Sequence, residues 1–448
     1  MKLFLVVIVT IFSVGTLCLG ELVPIQCRDP DVGGTTQNKD RKFMILGTQG
    51  AGGAGLGNIL IFYPAAFYFA AMTGRDIIIQ DGSIIGEMCT IINCGFPFVS
   101  QVALAFPDII NPKSLASVDD VKALDYQRYI EGSRLLKSDL VRAAGYQSKS
   151  DWWVWFNHTV HCVQRITGCD LGDVMCAERH AYQRLIRGPF KAELSAEEEE
   201  RIHGVPDNLK HALLTLPHAY APRLDAAVHL RAQFNHFESQ ANLDDPNYIK
   251  EVFDFVNGTE ASQVFSVLED RIIDIVTEAH KAHNDKAVET EIKSELEAEA
   301  ATPHPVYIYV ASDNEVVKDR FCDQLMRNPA LMGKLRIMKV ETKGVMHAKN
   351  IDRLKDHTKN EGLLDLVFDW YALSLANTIL AWRKGGTSML STFVHSAQKV
   401  SGTTERTDNN KGTGIGTRGY QLIRTKNGGL RFDLFWVYSF LEDFLIKR

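Results

Sequence analysis

KFMILGTQ at residues 42–49 is a short apolar run behind a basic turn, which predicts a buried β-strand. A glycine-rich turn follows at 50–57, and NILIFYPAAFYFAAM at 58–72 predicts a helix that starts or kinks near Pro64. RDIIIQ at 75–80 then predicts a second apolar strand. The order strand, turn, helix, strand is the opening unit of a parallel α/β sheet.

The same alternation of strands and helices recurs further along the chain. Strands are predicted at 226–230, 305–311, 335–340 and 378–382, and helices at 269–299, 363–375 and 391–400. Residues 114–150 and 171–215 are expected to be mainly helical. The fold class is therefore α/β, with two Rossmann-like lobes. We expect a short N-terminal segment at 21–41, an N-terminal lobe at 42–215 and a C-terminal lobe at 216–448.

The overall composition is that of an ordinary folded protein. The chain has 448 residues, a net charge of -6 and 45% hydrophobic residues. These values exclude a disordered chain, a collagen-like fibre and a small disulfide-rich scaffold. The small negative charge supplies no basic face, so a nucleic-acid partner is not expected.

The first twenty residues predict a targeting segment. Lys2 is their only charge, and residues 3–19 are mostly apolar. This pattern is typical of a secretory signal peptide cut near Gly20, with a short signal-anchor as the alternative. Both place the rest of the chain in the lumen of the secretory pathway or outside the cell. Contact with a membrane is expected only if the segment stays uncleaved.

Glycosylation triplets and cysteines agree with that compartment. Asn157 and Asn257 each begin an Asn-x-Thr acceptor triplet. Seven cysteines follow residue 20, and an odd number leaves at least one thiol free or paired outside the chain. Cys162, Cys169 and Cys176 recur every seven residues. They are either disulfide-bonded or small buried apolar side chains.

The glycine-rich turn permits two interpretations. Gly50, Gly52 and Gly55 follow a G-x-G-x-x-G spacing between a strand and a helix, which lets a backbone approach a phosphate or a sugar. A dinucleotide site also needs an acid about twenty residues later, and Asp81 fits that requirement only loosely. The alternative is a tight turn that packs the helix against the strand.

Polar residues follow several of the predicted strands. His229-Leu230-Arg231 ends one strand, and a guanidinium at the carboxyl end of a strand is suited to phosphate. Asp313 follows the next strand. Asp369 could accept two hydrogen bonds from a guanine edge or cap a helix, and Ser391-Thr392 could open a helix whose N–H groups face a diphosphate.

Five short motifs in this order resemble the two-lobed (GT-B) fucosyltransferases, the group that includes the α1,6 core and plant xyloglucan enzymes. The motifs are GLGN at 55–58, HLR at 229–231, VASD at 310–313, DWYALS at 369–374 and STF at 391–393. The resemblance implies two Rossmann-like lobes with a nucleotide-sugar cleft between them. It also implies an inverting transferase that moves fucose from GDP-fucose to a glycan or glycoprotein in the lumen of the Golgi or endoplasmic reticulum.

The resemblance also implies roles for individual residues. Arg231 would hold the β-phosphate of the donor, and Asp369 would bind guanine. Ser391, Thr392 and Phe393 would hold the phosphates.

Further donor contacts are implied at Gly55, Gly57, Asn58 and Asp313. The chain departs from the α1,6 pattern, which has Arg and Asp where Ala232 and Phe234 stand here, and from the plant pattern, which has Arg where Ile59 stands. The departures leave the sugar contacts open. Two alternative functions therefore remain open: a glycan- or nucleotide-binding pseudoenzyme and a dinucleotide-dependent oxidoreductase.

Catalysis by such an enzyme needs a stabilised diphosphate and a base for the acceptor hydroxyl. Glu238 and His229 are the candidate bases. His158, His161 and Cys162 lack a second pair of ligands at metal-binding spacing, so no metal site is predicted. No cofactor is expected either, since GDP-fucose would be the donor substrate.

Overall fold

The computed structural model describes a defined part of the chain, and every structural statement concerns that part. It comprises residues 27–30, 41–47, 56–121, 138–143, 162, 164–169, 174–190, 200, 202–216, 218, 220–232, 246–291, 305–341, 359–384, 392–400, 418–424 and 430–434. The predicted signal segment lies outside it and stays a prediction. None of the described helices is long and apolar enough to cross a membrane.

Strands and helices alternate through the described residues. The strands are β1 (Lys42–Leu46), β2 (Arg75–Ile79), β3 (Ile92–Cys94), β4 (Asp119–Val121), β5 (Leu140–Ala143), β6 (Ile186–Phe190), β7 (Ile202–His203), β8 (Leu224–Arg231), β9 (Val306–Ser312), β10 (Leu335–Val340), β11 (Ala376–Arg383), β12 (Arg418–Arg424) and β13 (Leu430–Leu434). The helices are α1 (Leu56–Met72), α2 (Ile84–Ile91), α3 (Val99–Ala105), α4 (Pro112–Ala116), α5 (Val174–Leu185), α6 (Asp207–Thr215), α7 (Pro246–Val256), α8 (Thr259–Glu291), α9 (Glu315–Arg327), α10 (Lys359–Ser374) and α11 (Thr392–Val400).

The chain divides into two compact units. Unit 1 comprises residues 1–51, 62–86 and 96–173, and unit 2 comprises 52–61, 87–95 and 174–448. Residues 174–215 group with unit 2, whereas the sequence assigned them to an N-terminal lobe. The lobe boundaries and the two-lobed arrangement with its nucleotide-sugar cleft stay predictions.

Unit 1 contains a four-stranded sheet in the order β2-β1-β5-β4, and all of its pairs are parallel. The strand predicted at 42–49 and the strand predicted at 75–80 are β1 and β2, and they are direct neighbours. Their apolar side chains are buried because helices cover a parallel sheet. Asp76 is buried in β2 and forms ion pairs with Arg28 and Arg41, which offset the cost of burying its charge.

Unit 2 contains a seven-stranded sheet in the order β13-β12-β11-β8-β9-β10-β7. The five strands from β12 to β10 are parallel, and the two edge strands β13 and β7 are antiparallel. The chain runs outward from β8 through β9 to β10, and then returns to place β11 on the other side of β8. The direction in which the strands are added therefore reverses between β8 and β11.

The helices of unit 2 cover both faces of this sheet. One face packs Val228, Val310 and their neighbours against α7, α8 and α9. The other face packs against α10 and α11, since the Tyr309 ring contacts Phe368 and the His229 ring contacts Phe393. Helices on both faces of a parallel sheet are the arrangement of a doubly wound α/β fold. The predicted α/β class is confirmed.

Helix α1 contains the predicted kink residue, Pro64. Proline has no N–H, so it leaves the carbonyl of Leu60, four residues earlier, without its helical donor. The hydroxyl of Tyr182 in α5 donates to that carbonyl at 2.7 Å, and Tyr182 is fully buried. A side chain from another helix thus replaces the missing backbone hydrogen bond.

Two segments predicted to be mainly helical also contain short strands. The described residues of 114–150, which are 114–121 and 138–143, comprise the end of α4 and strands β4 and β5. The described residues of 171–215 are mainly helical, in α5 and α6, with strands β6 and β7 between these helices. The short strands are difficult to recognise because each gains its hydrogen bonds from a partner distant in sequence: β5 pairs with β1, and β7 pairs with β10. The long helix predicted from residue 269 begins ten residues earlier, at Thr259.

Most of the cysteines are paired. Cys27 bonds to Cys162 and Cys89 bonds to Cys94, while Cys169 and Cys176 are also disulfide-bonded. Cys322 is free and buried, which accounts for the odd thiol that the sequence predicts.

Substitution of Tyr182 by Phe should cost about 1–3 kcal/mol in the free energy of unfolding, because the Leu60 carbonyl stays buried without a donor. In a Pro64→Ala background the alanine N–H can bond to that carbonyl, so the same substitution should cost less. Urea unfolding of the two single variants and the double variant measures the coupling. Tyr220→Phe, at a residue that is 77% exposed, is the control. Equal costs in both backgrounds would contradict this account of Pro64.

Candidate anion-binding site

The carboxyl ends of β8 and β11 lie side by side in unit 2. The two strands are parallel and in register from Ala376↔Leu224 to Arg383↔Arg231. The backbone N–H of Lys384 donates to the carbonyl of Arg231 at 2.9 Å, which holds the ends together. In open α/β sheets, ligands bind outside the carboxyl ends of the strands where the strand order reverses, and this pair is that place.

Arg231 and Arg383 lie on the same face of the sheet. Leu230, Ala232 and Trp382 belong to the core under α7 and α8, and alternate residues of a strand face opposite ways. Both arginines therefore face the side of α10 and α11, and both are partly buried. Sequence reasoning selected Arg231 and missed Arg383. The signal was the pair Arg383-Lys384 directly after a predicted strand.

His229 and Phe393 lie beside the two arginines. The imidazole of His229 is two residues before Arg231 in β8, and its ring centroid lies 5.8 Å from that of Phe393. Helix α11 begins at Thr392, where the sequence predicts a helix start, so Phe393 belongs to its first turn. The start of α11 thus lies on the same side of the sheet as Arg231, near the carboxyl end of β8, and a helix start is suited to an anion.

Burial keeps the imidazole of His229 neutral. It is 7% exposed, and its pKa is lowered to about 3, first by desolvation and then by repulsion from Arg231. The Nδ1 atom has no hydrogen-bond partner in the described part of the protein. A general base works best with a pKa near the working pH, so this environment favours a ligand-positioning role for His229 over the predicted role as base.

Asp313 connects β9 to the end of β8. Its Oδ1 accepts a hydrogen bond from the backbone N–H of Ala232 at 2.8 Å, and its own N–H donates to the carbonyl of Leu230 at 3.3 Å. Ser312 donates its hydroxyl to the same carbonyl at 2.9 Å. The structure therefore places Asp313 at the predicted edge, where one of its oxygens holds the backbone that follows Arg231.

Asp369 lies on the face of the sheet that α10 and α11 cover, beside an earlier part of the strands than Arg231. It is five residues before the end of α10, so it does not cap the start of that helix, and it accepts a hydrogen bond from the hydroxyl of Tyr309. Tyr309 pairs with Ala227, four residues before Arg231 in β8. At about 3.3 Å per residue, these two levels are ~13 Å apart along the strand. The strand position whose side chain contacts the predicted guanine-binding residue is thus separated along the sheet from the predicted phosphate-binding residue.

The surroundings of Asp369 favour its protonated form. Desolvation raises its pKa to about 7, while Lys318 and the hydrogen bond from Tyr309 act in the opposite direction. A carboxyl group with this pKa is partly protonated at neutral pH. Binding of a guanine edge, which needs the carboxylate, would therefore have to lower the pKa of Asp369.

The remaining predicted site residues are described only in part. Gly57 and the backbone of Asn58 belong to the first turn of α1, and Asn257 is exposed in the turn between α7 and α8. Gly55, Asn157, Glu238 and Ser391 and the side chain of Thr392 lie outside the described residues, so their roles stay predictions. Within the described ranges, no group of three or more His, Cys, Asp or Glu side chains is placed to hold a metal ion.

The acid suggested for a dinucleotide site has a structural role. Asp81 follows β2, and its carboxylate accepts hydrogen bonds from the backbone N–H of Ser100 at 3.0 Å and from the Ser100 hydroxyl at 2.6 Å. Ser100 lies in the first turn of α3. The carboxylate of Asp81 therefore holds the start of α3, which weakens the dinucleotide interpretation.

Comparison with solved structures finds fucosyltransferases. The fucosyltransferase NodZ from Bradyrhizobium has a TM-score of 0.36 at 13% identity, over 88% of this chain and 99% of its own. A mutant of Arabidopsis thaliana FUT1 in complex with GDP has a TM-score of 0.40 at 11% identity, over 88% of this chain and 73% of its own. At these TM-scores, the similarity alone carries no argument about this chain. No family model and no curated protein matches the sequence.

Asp369→Asn should change how stability depends on pH. The folded pKa of Asp369, about 7, lies above the ordinary value of 3.8 for an aspartate, so the folded state binds more protons and stability falls as pH rises through that interval. The asparagine variant cannot ionise and should lose less stability than the unaltered protein between pH 5.5 and pH 8.5. Urea unfolding at both pH values measures this, with Asp323→Asn on the surface as the control. Parallel pH profiles for Asp369→Asn and the unaltered protein would contradict the raised pKa.

Proposed function

We propose that this protein is a glycosyltransferase that uses a nucleoside-diphosphate sugar, with GDP-fucose as the donor. The observation that carries the proposal is the convergence of Arg231, the neighbouring arginine Arg383 and the first turn of α11 where the strand order reverses. A fixed guanidinium and free helix N–H groups are the groups that bind a diphosphate.

The chemistry of glycosyl transfer explains why such a site is needed. As the bond to the sugar breaks, negative charge grows on the departing diphosphate. Arg231 and the first turn of α11 would stabilise that charge without rearrangement, because a strand end and a helix end hold them. This stabilisation needs no metal ion, so metal independence is part of the proposal.

The proposed donor identity depends on the sequence motifs. HLR, DWYALS and STF occur in the order found in GT-B fucosyltransferases, where the Asp of the second motif binds guanine. In this proposal, Asp369 selects guanine and gives up its proton on binding. The phosphates would lie toward Ser391, Thr392 and Phe393.

We also propose an inverting reaction in the secretory pathway, on a glycan or glycoprotein acceptor. Inversion requires a base beside the acceptor hydroxyl. The pKa of His229 is unsuited to that task, which leaves Glu238 as the proposed base. The disulfide bonds support the compartment, since such bonds persist mainly in oxidising environments.

One observation favours a second candidate, a nucleotide-binding protein of the same fold without transferase activity. Ala232 occupies the place of the second arginine of the α1,6 pattern, and its side chain lies in the core of the opposite face. Release of fucose from GDP-fucose separates the two candidates, since only the transferase produces it.

Purified protein should bind GDP more tightly than UDP, and Arg231→Ala should abolish turnover while preserving the fold. The loss of a charge that stabilises the leaving group should raise the barrier by roughly 3–4 kcal/mol. Calorimetric titration with both nucleotides and a fucose-release assay measure these effects. Arg327→Ala, at an exposed residue of α9, is the control. Equal affinity for GDP and UDP would exclude the guanine assignment, and normal turnover by Arg231→Ala would exclude the phosphate assignment.

Activity should persist in excess EDTA, because protein cations rather than a bound ion stabilise the diphosphate in this proposal. Fucose release is measured in EDTA and again after Mn²⁺ or Mg²⁺ is added back. Loss of activity in EDTA that either ion restores would show that the reaction depends on a metal ion.

A further inference from the structure

Arg383 occupies the position directly opposite Arg231. The two residues are register partners in neighbouring parallel strands and face the same side of the sheet. Neighbouring strands are about 4.8 Å apart, so the two side chains start from adjacent points at the same level. They are 152 residues apart in the sequence, and only the pairing of β8 with β11 brings them together.

The surroundings of this pair suit an anion. The first turn of α11 is on the same side of the sheet, as the contact between Phe393 and His229 shows. His229 is buried, and its Nδ1 has no partner among the described residues. Two arginine residues, one helix start and one buried imidazole therefore lie on one face of the sheet, at the edge where a doubly wound sheet binds ligands.

We propose that Arg383 is the second phosphate-binding residue of the site, and that Arg231 and Arg383 each hold one phosphate of the nucleoside diphosphate. The inference rests on the proposed function and deepens it. A monophosphate would engage only one of the two guanidinium groups. The pair would therefore give the site its preference for nucleoside diphosphates over monophosphates.

Lys384 provides a matched control in the same strand end. Its side chain belongs to the opposite face, where Nζ lies 3.1 Å from a carboxylate oxygen of Glu251 in α7 and 5.5 Å from the ring centroid of Phe255. Lys384 and Arg383 are thus neighbouring cations at one edge, of which only Arg383 faces the proposed site. Comparison of Lys384→Ala with the Arg383 variants therefore separates the effect of losing a positive charge at this edge from the effect of losing a phosphate contact.

The experiment measures the affinities of the full chain for GDP, GMP and inorganic pyrophosphate by calorimetry. The variants are Arg383→Ala, Arg383→Gln and Lys384→Ala, each checked for an unchanged thermal unfolding transition. We expect both Arg383 variants to bind GDP and pyrophosphate about 10-fold or more weakly than the unaltered protein, as for a lost charge-assisted hydrogen bond. GMP affinity should change less, so the preference for GDP over GMP should shrink. Lys384→Ala should leave that preference unchanged.

The outcomes separate the inference from the function on which it rests. If the unaltered protein binds neither GDP nor pyrophosphate, both the proposed function and the role of Arg383 are wrong. If it binds GDP and Arg231→Ala weakens binding, while both Arg383 variants keep the preference for GDP over GMP, only the role of Arg383 is wrong. An equal loss of GDP and GMP affinity in the Arg383 variants would also overturn the inference, since it would indicate a general effect on the site.

Discussion

The parallel pairing of β8 with β11 is the constraint on which the rest of unit 2 depends. The helices that follow these strands in sequence lie on different faces of the sheet, α7 after β8 and α11 after β11. In doubly wound sheets, ligands bind at the carboxyl ends of the strands where the strand order reverses, as it does between β8 and β11. The register of this one pair then fixes which residues stand side by side at that edge.

The polar groups near this edge are held by the sheet and the helices. Asp313 and Ser312 hold the end of β8 through its backbone, and the hydroxyl of Tyr309 holds Asp369. Burial lowers the pKa of His229 and raises that of Asp369, so both groups tend toward their neutral forms. The two arginine residues at this edge are suited to a phosphate-bearing ligand.

Several sequence expectations correspond closely to the structure. The strand predicted at 335–340 is β10 at the same residues, and the strand predicted at 378–382 is the centre of β11. Most residues of these segments are β-branched or apolar, so their local pattern and their mostly buried positions favour the same state. The short strands within 114–150 and 171–215 were not predicted. The polar composition of these segments resembles that of exposed helices, and the short strands form by pairing with strands that are distant in sequence.

The sequence by itself determined the α/β class, most of the strands of the parallel sheets and the position of Arg231 at the end of a strand. It did so because hydrophobic periodicity and strand-end polar residues are local signals. Only the tertiary structure decided that β11 pairs with β8, and therefore that Arg383 stands opposite Arg231 and that Phe393 covers His229. Strand order and register are set by which surfaces bury each other between residues more than 150 positions apart, and no local pattern encodes that choice.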